Sequence, residues 1–226
     1  MTPRRWEDER VVGGFARSPP NAVLLDFVRT ELACRPGLRV VDVGCGAARN
    51  AVPMAAAGCR VLGTDLALPM LAAARRRAAE DGVGGCVSLA CAPMDRLPLG
   101  DGEADLVVAH GVWNLARSGA ELRAAVAEAA RVARPGAALF LFAFSRATLA
   151  PGAEPVPGEE FVFTQFAGEP QCFLTEGQVT EELARGGFAK DPPGPLTEYN
   201  RPAPGSLLPA GGPVIWEGTF RRKGPA

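Results

Sequence analysis

Three parts of the chain combine residue type and spacing in a way that can support chemistry. The segment Val40-Val41-Asp42-Val43-Gly44-Cys45-Gly46-Ala47-Ala48-Arg49-Asn50 runs an apolar strand into a glycine turn and then towards a helix. Gly44 and Gly46 carry no Cβ, so a ligand can come close to the main chain there. The helix start behind them offers free N–H groups and the positive end of a dipole. Asp65 closes the next apolar stretch, about 20 residues on, where a carboxylate is placed to accept hydrogen bonds from a ribose diol. Glycine turn and acid together read as a nucleoside site. The third part is His110, the single histidine, directly after Leu106-Val107-Val108-Ala109. Its imidazole suits a general base, or a hydrogen-bonding group that positions an acceptor.

The identity of the nucleoside narrows by exclusion. A dinucleotide fingerprint starting at Gly44 and Gly46 would need a third glycine where Arg49 stands. A phosphate-binding loop would need a lysine, and the chain has only Lys190 and Lys223. Twenty-four basic against 25 acidic residues give a net charge of −1, which gives no footprint for nucleic acid or an anionic membrane. The N-terminal residues lack an apolar signal core, and the longest apolar run, Ala137 to Phe144, is too short to cross a bilayer. A cytoplasmic location is therefore expected. Six cysteines without a C-x-x-C pair, and one histidine, speak against a dedicated metal site. They are expected to be free thiols, with Cys86 and Cys91 in the core.

These residues need elements to hold them, and the chain alternates strand and helix from residue 20 to about 144. Helices are expected from Asn21 to Ala33, from near Ala51 to Ala57, and from Pro69 to Glu80. Another begins at the capping box Ser118-Gly119-Ala120-Glu121. Strands are expected at Arg39–Val43, Arg60–Thr64, Cys86–Cys91, Asp105–His110 and Ala137–Phe144. The order predicts an α/β fold with a doubly wound, mostly parallel sheet and right-handed crossovers. From Ser145 the rhythm breaks. Residues 146–172 read as an irregular insertion, and Thr175-Glu176-Gly177-Gln178 opens a further helix. Strands are expected at Phe188–Lys190 or Leu196–Tyr199, and at Val214–Arg221, with a loop over 201–213 between them. One domain over 1–226 is expected: a helical N-terminal cap (1–36), a cofactor-binding core (37–144) and an acceptor-side tail (145–226).

In these residues the sequence resembles the class I S-adenosylmethionine-dependent methyltransferases. Val41-Asp42-Val43-Gly44-Cys45-Gly46 is similar to their first motif, and Gly63-Thr64-Asp65-Leu66-Ala67-Leu68-Pro69-Met70-Leu71 to their second. Leu97-Pro98-Leu99 and Asp101-Gly102, then Ala104-Asp105-Leu106-Val107-Val108, resemble the third and fourth. Arg131-Val132-Ala133-Arg134-Pro135-Gly136-Ala137 resembles the approach to the fifth strand. The resemblance implies a Rossmann-like sheet of seven strands with the last antiparallel, and S-adenosyl-L-methionine as cofactor. It implies that Gly44, Cys45 and Gly46 line the methionine portion, which His110 also contacts, and that Asp42 orients the loop or meets the ammonium. Asp65 then holds the ribose hydroxyls, while Leu66 and Met70 pack on the adenine. Two positions depart from the family. Ala48 replaces its third glycine, and Pro93 stands where an acid often accepts the adenine amino hydrogen, leaving Met94 or Asp95 to substitute.

The acceptor is expected to be a small molecule, since the Asn-Pro-Pro-aromatic signature of nucleic-acid amino-group methyltransferases is missing after His110. Trp113, Asn114 and Tyr199 are candidates to touch it. Phe161, Phe163 and Phe166 either line an apolar pocket or pack the insertion onto the sheet. Segments 146–172 and 200–213 are where acceptor choice is expected to lie. Two other readings stay open: a domain that binds the cofactor without turnover, as a sensor or partner subunit, and a nicotinamide-dependent oxidoreductase. Nothing in the sequence speaks to oligomeric state.

Overall fold

The computed structural model describes residues 6–191, 196–201 and 212–224. Two helices come first, α1 (Glu9–Arg17) and α2 (Ala22–Cys34), each capped by an N-terminal side chain, Asp8 and Asn21 respectively. The core series then runs β1 (Arg39–Val43), α3 (Ala51–Ala56), β2 (Arg60–Asp65), α4 (Leu68–Glu80), β3 (Val87–Cys91), β4 (Ala104–His110), α5 (Gly119–Val132) and β5 (Ala133–Phe144). The tail adds β6 (Val162–Phe163), β7 (Gln171–Cys172), α6 (Glu176–Arg185), β8 (Phe188–Lys190), β9 (Thr197–Tyr199) and β10 (Ile215–Arg222).

Strands β1 and β4 are apolar almost throughout because helices cover both faces of the sheet. The strand order is β3-β2-β1-β4-β5-β10-β8, with β9 also paired to β10. β1 pairs in parallel with both β2 and β4. Chain order therefore reverses between β1 and β4, and a crevice opens beyond their carboxyl ends. Gly44 and His110 stand at its two sides. One core layer packs Leu24, Val28, Val52 and Met54 against Phe140 of the sheet. The other packs Leu122, Val126, Val179 and Leu183 against Val107, Leu139 and Leu141.

Several expectations need correction. Among the described residues the sheet has eight strands rather than seven, because the two alternative tail strands, β8 and β9, both form and both pair with β10. β10 alone runs antiparallel to its neighbour β5, as expected of the last strand. β5 begins at Ala133, ahead of Pro135-Gly136, and the register shifts between Ala104 and Leu106 to accommodate the extra residues. Cys86 and Cys91 are exposed, since β3 is the sheet's edge strand and they lie at its two ends. Helix α1 lies within the helical cap expected over 1–36, where only α2 had been given bounds. It buries only Val12 among its own residues and owes its place to packing against α4. The Thr175 capping box forms in full. At Ser118 only half does: the hydroxyl takes the Glu121 N–H, while the Glu121 carboxylate takes the N–H of Arg117.

The insertion closes on itself through the β6–β7 pair. Phe161 enters the main core, and Phe163 and Phe173 form a satellite cluster with Leu149. Packing, not pocket lining, is the role of these rings. Most of the expected 200–213 loop lies outside the described residues. Among the described residues, no helix is long and apolar enough to cross a membrane.

Candidate functional site

A cavity of about 440 Å³ opens at the β1/β4 crevice. Its floor is the glycine turn. Gly44 and Gly46 take φ of +66° and +53°, which an L side chain rarely adopts. A Cβ on Gly44 would lie 2.5 Å from Cγ2 of Val112, so this turn fits only against bare backbone. A Cβ on Gly46 would meet nothing nearer than Cδ1 of Phe15 at 3.7 Å. Ala48, at the family's third glycine, is held at φ +58°, a strained left-handed residue whose methyl group is fully buried.

Asp65 ends β2 and faces the same space. One carboxylate oxygen accepts the Gly46 N–H at 2.9 Å and the other accepts the Ala67 N–H at 2.8 Å. The acid thus ties the glycine turn to the start of α4 and still lines the cavity. Burial pushes its pKa up, and the backbone N–H donors oppose that push.

The cavity wall beyond it carries Leu66, largely exposed, and Met70, buried beneath. Met94 and Asp95 line it from the loop after β3. That loop is pinned to α5: the Leu97 N–H donates to Glu128 at 2.6 Å, and Arg131 donates to the Leu97 carbonyl at 3.3 Å.

Two expected residues lie below the floor rather than in it. The Cys45 side chain turns into the sheet beside Gly63, and burial raises its thiol pKa well above the usual value. Asp42 is buried with Oδ2 lacking any hydrogen-bond partner. Burial lifts its pKa to about 7, with Arg49 opposing the rise and Asp65 reinforcing it.

His110 lines the opposite side of the cavity and stacks on Phe142, with ring centroids 4.2 Å apart. Asn21 Nδ2 lies 3.1 Å from its Nε2, and Arg49 Nη2 lies within 3.3 Å of both ring nitrogens. Burial, aided by the Arg49 charge, pulls its pKa down to about 4. The ring is neutral at pH 7, as a base must be, but protein donors crowd its accepting side. That geometry disfavours the base expected from sequence.

The three acceptor candidates do not reach this cavity. Trp113 and Asn114 sit in a short 3₁₀ turn with their side chains in the core, where Trp113 packs with Leu122 and Val126. Tyr199 lies on β9, partly exposed. The turn after β4 points Val112 and Leu115, three residues apart, into the cavity instead. Reading the sequence also missed Trp6 and Phe15, which meet edge to face at 5.6 Å and line the cavity from the N-terminal side. It missed Arg117 and Glu121 at the wall, and it treated Arg49 only as an obstacle to dinucleotides. Asn21, a residue type that caps helices and stands directly ahead of the helix at Ala22, carried the one available signal for its part.

Comparison with known proteins gives this arrangement its kinship. Residues 41–141 match a family profile described as a methyltransferase domain. The match runs from within β1 to within β5, the part of the sheet that carries the glycine turn, Asp65 and His110. A demethylmenaquinone methyltransferase from Parafrankia sp. (strain EAN1pec) is 41% identical, over 51% of this chain and 50% of the relative. A ubiquinone biosynthesis O-methyltransferase from Hahella chejuensis is 35% identical, over 56% and 51%. The chain thus spans about half the length of these relatives. Among solved structures, an S-adenosylmethionine-dependent methyltransferase from Mesorhizobium loti superposes with a TM-score of 0.65 at 22% identity, covering 87% of this chain and 96% of that one. The 4+2-cyclase SpnF superposes with a TM-score of 0.63 at 24% identity, covering 79% and 60%. The fold is therefore shared by proteins named for different reactions, and the reaction must be argued from the site.

Proposed function

We propose that the protein is an enzyme that transfers the methyl group of S-adenosyl-L-methionine to a small-molecule acceptor. The observation that carries this reading is one cavity that joins the bare glycine turn, the Asp65 carboxylate and the Met94–Asp95 loop. The residues present fit the cofactor. Gly46 leaves open main chain where a ligand approaches, and Asp65 keeps lone pairs beyond the two N–H bonds it accepts. Asp42 holds an unpartnered carboxylate oxygen beneath the turn, suited to an ammonium reached through it.

The cofactor supplies a methyl group already activated on a sulfonium. The chain's own work is then to bind, align and exclude water. Asp65 takes the ribose hydroxyls. Leu66 and Met70 cover the adenine face, with Met94 and Asp95 at its edge in place of the acid that Pro93 displaces. Trp6, Phe15, Val112 and Leu115 give the remaining space an apolar character, suited to a small organic acceptor. The single-domain organisation and the three-part division of the chain belong to this proposal, as does the cytoplasmic location. The apolar lining and the balanced charge favour a small molecule over nucleic acid as partner.

The named relatives support methyl transfer to small molecules: the Parafrankia protein is named for demethylmenaquinone and the Hahella protein for O-methylation in ubiquinone biosynthesis. The test is S-adenosylhomocysteine release, followed by mass spectrometry, with a panel of phenols, quinols and heteroaromatic amines. Acceptor-dependent release supports the reading. Tight binding of S-adenosylmethionine with no release from any acceptor would move the protein to a non-catalytic cofactor-binding role. Binding of NADH in its place would favour the oxidoreductase.

A further inference from the structure

Asn21 sits where three distant parts of the chain meet, and its amide can be oriented without ambiguity. Oδ1 accepts the Leu24 N–H at 2.8 Å as the cap of α2. The other end of the amide, Nδ2, therefore faces Glu217 Oε2 at 2.6 Å and His110 Nε2 at 3.1 Å. An amide nitrogen has two hydrogens and no lone pair to offer, so one goes to the carboxylate and the other to the imidazole. Nε2 of His110 must then accept. In a neutral imidazole that leaves the proton on Nδ1.

Arg49 Nη2 lies 3.2 Å from Nδ1 and 3.3 Å from Nε2, so it does not choose between the two nitrogens, whereas Asn21 reaches Nε2. The His110 backbone is the one polar neighbour that favours a proton on the ring, and Nδ1 is the nitrogen nearest to it. Phe142 stacks on the imidazole and fixes its plane. His110, Phe142 and Glu217 occupy one register row across β4, β5 and β10, which brings the buried Glu217 carboxylate to the same face as the ring. The main-chain N–H of Asn21 also donates to Oδ1 of Asn50 at 2.9 Å, so the whole residue is clamped.

We propose that Asn21 is a positioning residue that holds His110 as the neutral Nδ1–H tautomer, and that Glu217 keeps Asn21 in that orientation. The inference rests on the methyl-transfer reading only for its purpose. With Nε2 engaged by Asn21, residue 110 does not take a proton from the acceptor. It serves as a fixed neutral wall of the cavity and not as the base for a protonated acceptor. The charged groups facing the ring are Arg49 directly and Glu217 through Asn21, and Asp42 lies within the field of Arg49.

Because His110 is the only histidine, a long-range proton–nitrogen NMR spectrum of the ¹⁵N-histidine-labelled full chain reads one imidazole. The expected result at pH 7 is a proton on Nδ1, persisting without protonation down to pH 5. A proton on Nε2, or titration near the ordinary value of about 6.5, would overturn the proposal. Asn21→Ser keeps an oxygen to cap α2 but removes the amide donor, and should shift the population towards Nε2–H. Glu217→Gln retains a carbonyl acceptor for the Asn21 amide and should leave the spectrum as in the parent, whereas Glu217→Leu should shift it in the Asn21→Ser direction. A tautomer unmoved by Asn21→Ser would contradict the assignment. These spectra are recorded without cofactor or acceptor, so their failure would leave methyl transfer standing, and failed methyl transfer would leave the tautomer standing.

Discussion

The two sides of the cavity are built by different means. On the Asp65 side, two main-chain N–H groups, those of Gly46 and Ala67, meet a carboxylate at most 19 residues away. On the His110 side, the contacts run from Asn21 to His110 and Glu217, over separations of 89 and 196 residues. The first side needs only a strand, a turn and the neighbouring parallel strand to form. The second exists only once α2, β4 and β10 have been assembled around the sheet. The difference teaches where a sequence can disclose a site: backbone-built geometry leaves glycines and a spaced acid behind, whereas side-chain networks leave no local trace.

If this contrast is right, the largest effect should come from the backbone-built side. Gly44→Ala places a Cβ 2.5 Å from Val112 at a positive φ, and should cost about 3 kcal/mol of stability, combining strain and overpacking. Denaturant unfolding checks it, and a loss under about 1 kcal/mol would mean that the turn is more yielding than described. Chemical rather than steric change on the other side should show up in its pH response. His110 titrates near 4 in the folded chain, below its ordinary value, so its contribution to stability is present above about pH 6.5 and is lost as pH falls towards 4. Between pH 7.5 and 4.5 the parent should therefore lose roughly 2–3 kcal/mol more than His110→Asn. Equal losses would place the imidazole in solvent and dissolve the network.

Asp42 runs the opposite way. Its pKa is raised from 3.8 to about 7, so its contribution is present below about pH 4 and lost as pH rises through 7. Asp42→Asn should flatten that loss, which urea midpoints at pH 5 and pH 8 would show. The smallest effect sharpens the boundary of the site. Tyr199 lies on β9 away from the cavity lining, so Tyr199→Ala should change kcat/KM for whichever acceptor is found by less than about twofold. A tenfold loss would bring the tail into the acceptor site after all.

Much of the fold was legible because its signals are local. Apolar runs marked β1, β2 and β4, a glycine closed α3, and Thr175 with Gln178 announced α6. The doubly wound sheet followed from the alternation of elements, whereas the place of its reversal, between β1 and β4, came only with the structure. What the sequence hid was tertiary. Helix α1 is held by packing on α4, and nothing in its nine residues announces that Phe15 would face Gly46. Trp113 looked like a pocket aromatic, but one residue of phase in a 3₁₀ turn sends it into the core and Val112 into the cavity. Cys45 shares its turn with two glycines yet points the other way, into the space left by Gly63. Asn21 was read only as the first residue of a helix; neither its cap role nor its second pair of partners was seen.

The claim on which the account turns is that this cavity binds S-adenosylmethionine through Asp65, and calorimetric titration tests it most directly. S-adenosylmethionine and S-adenosylhomocysteine should both bind the parent chain, NADH should not, and Asp65→Ala should weaken S-adenosylhomocysteine binding by about 1–3 kcal/mol, the cost of leaving the ribose hydroxyls without their acceptor. Unchanged affinity in Asp65→Ala, or heat of binding with NADH in place of the adenosyl ligands, would contradict it.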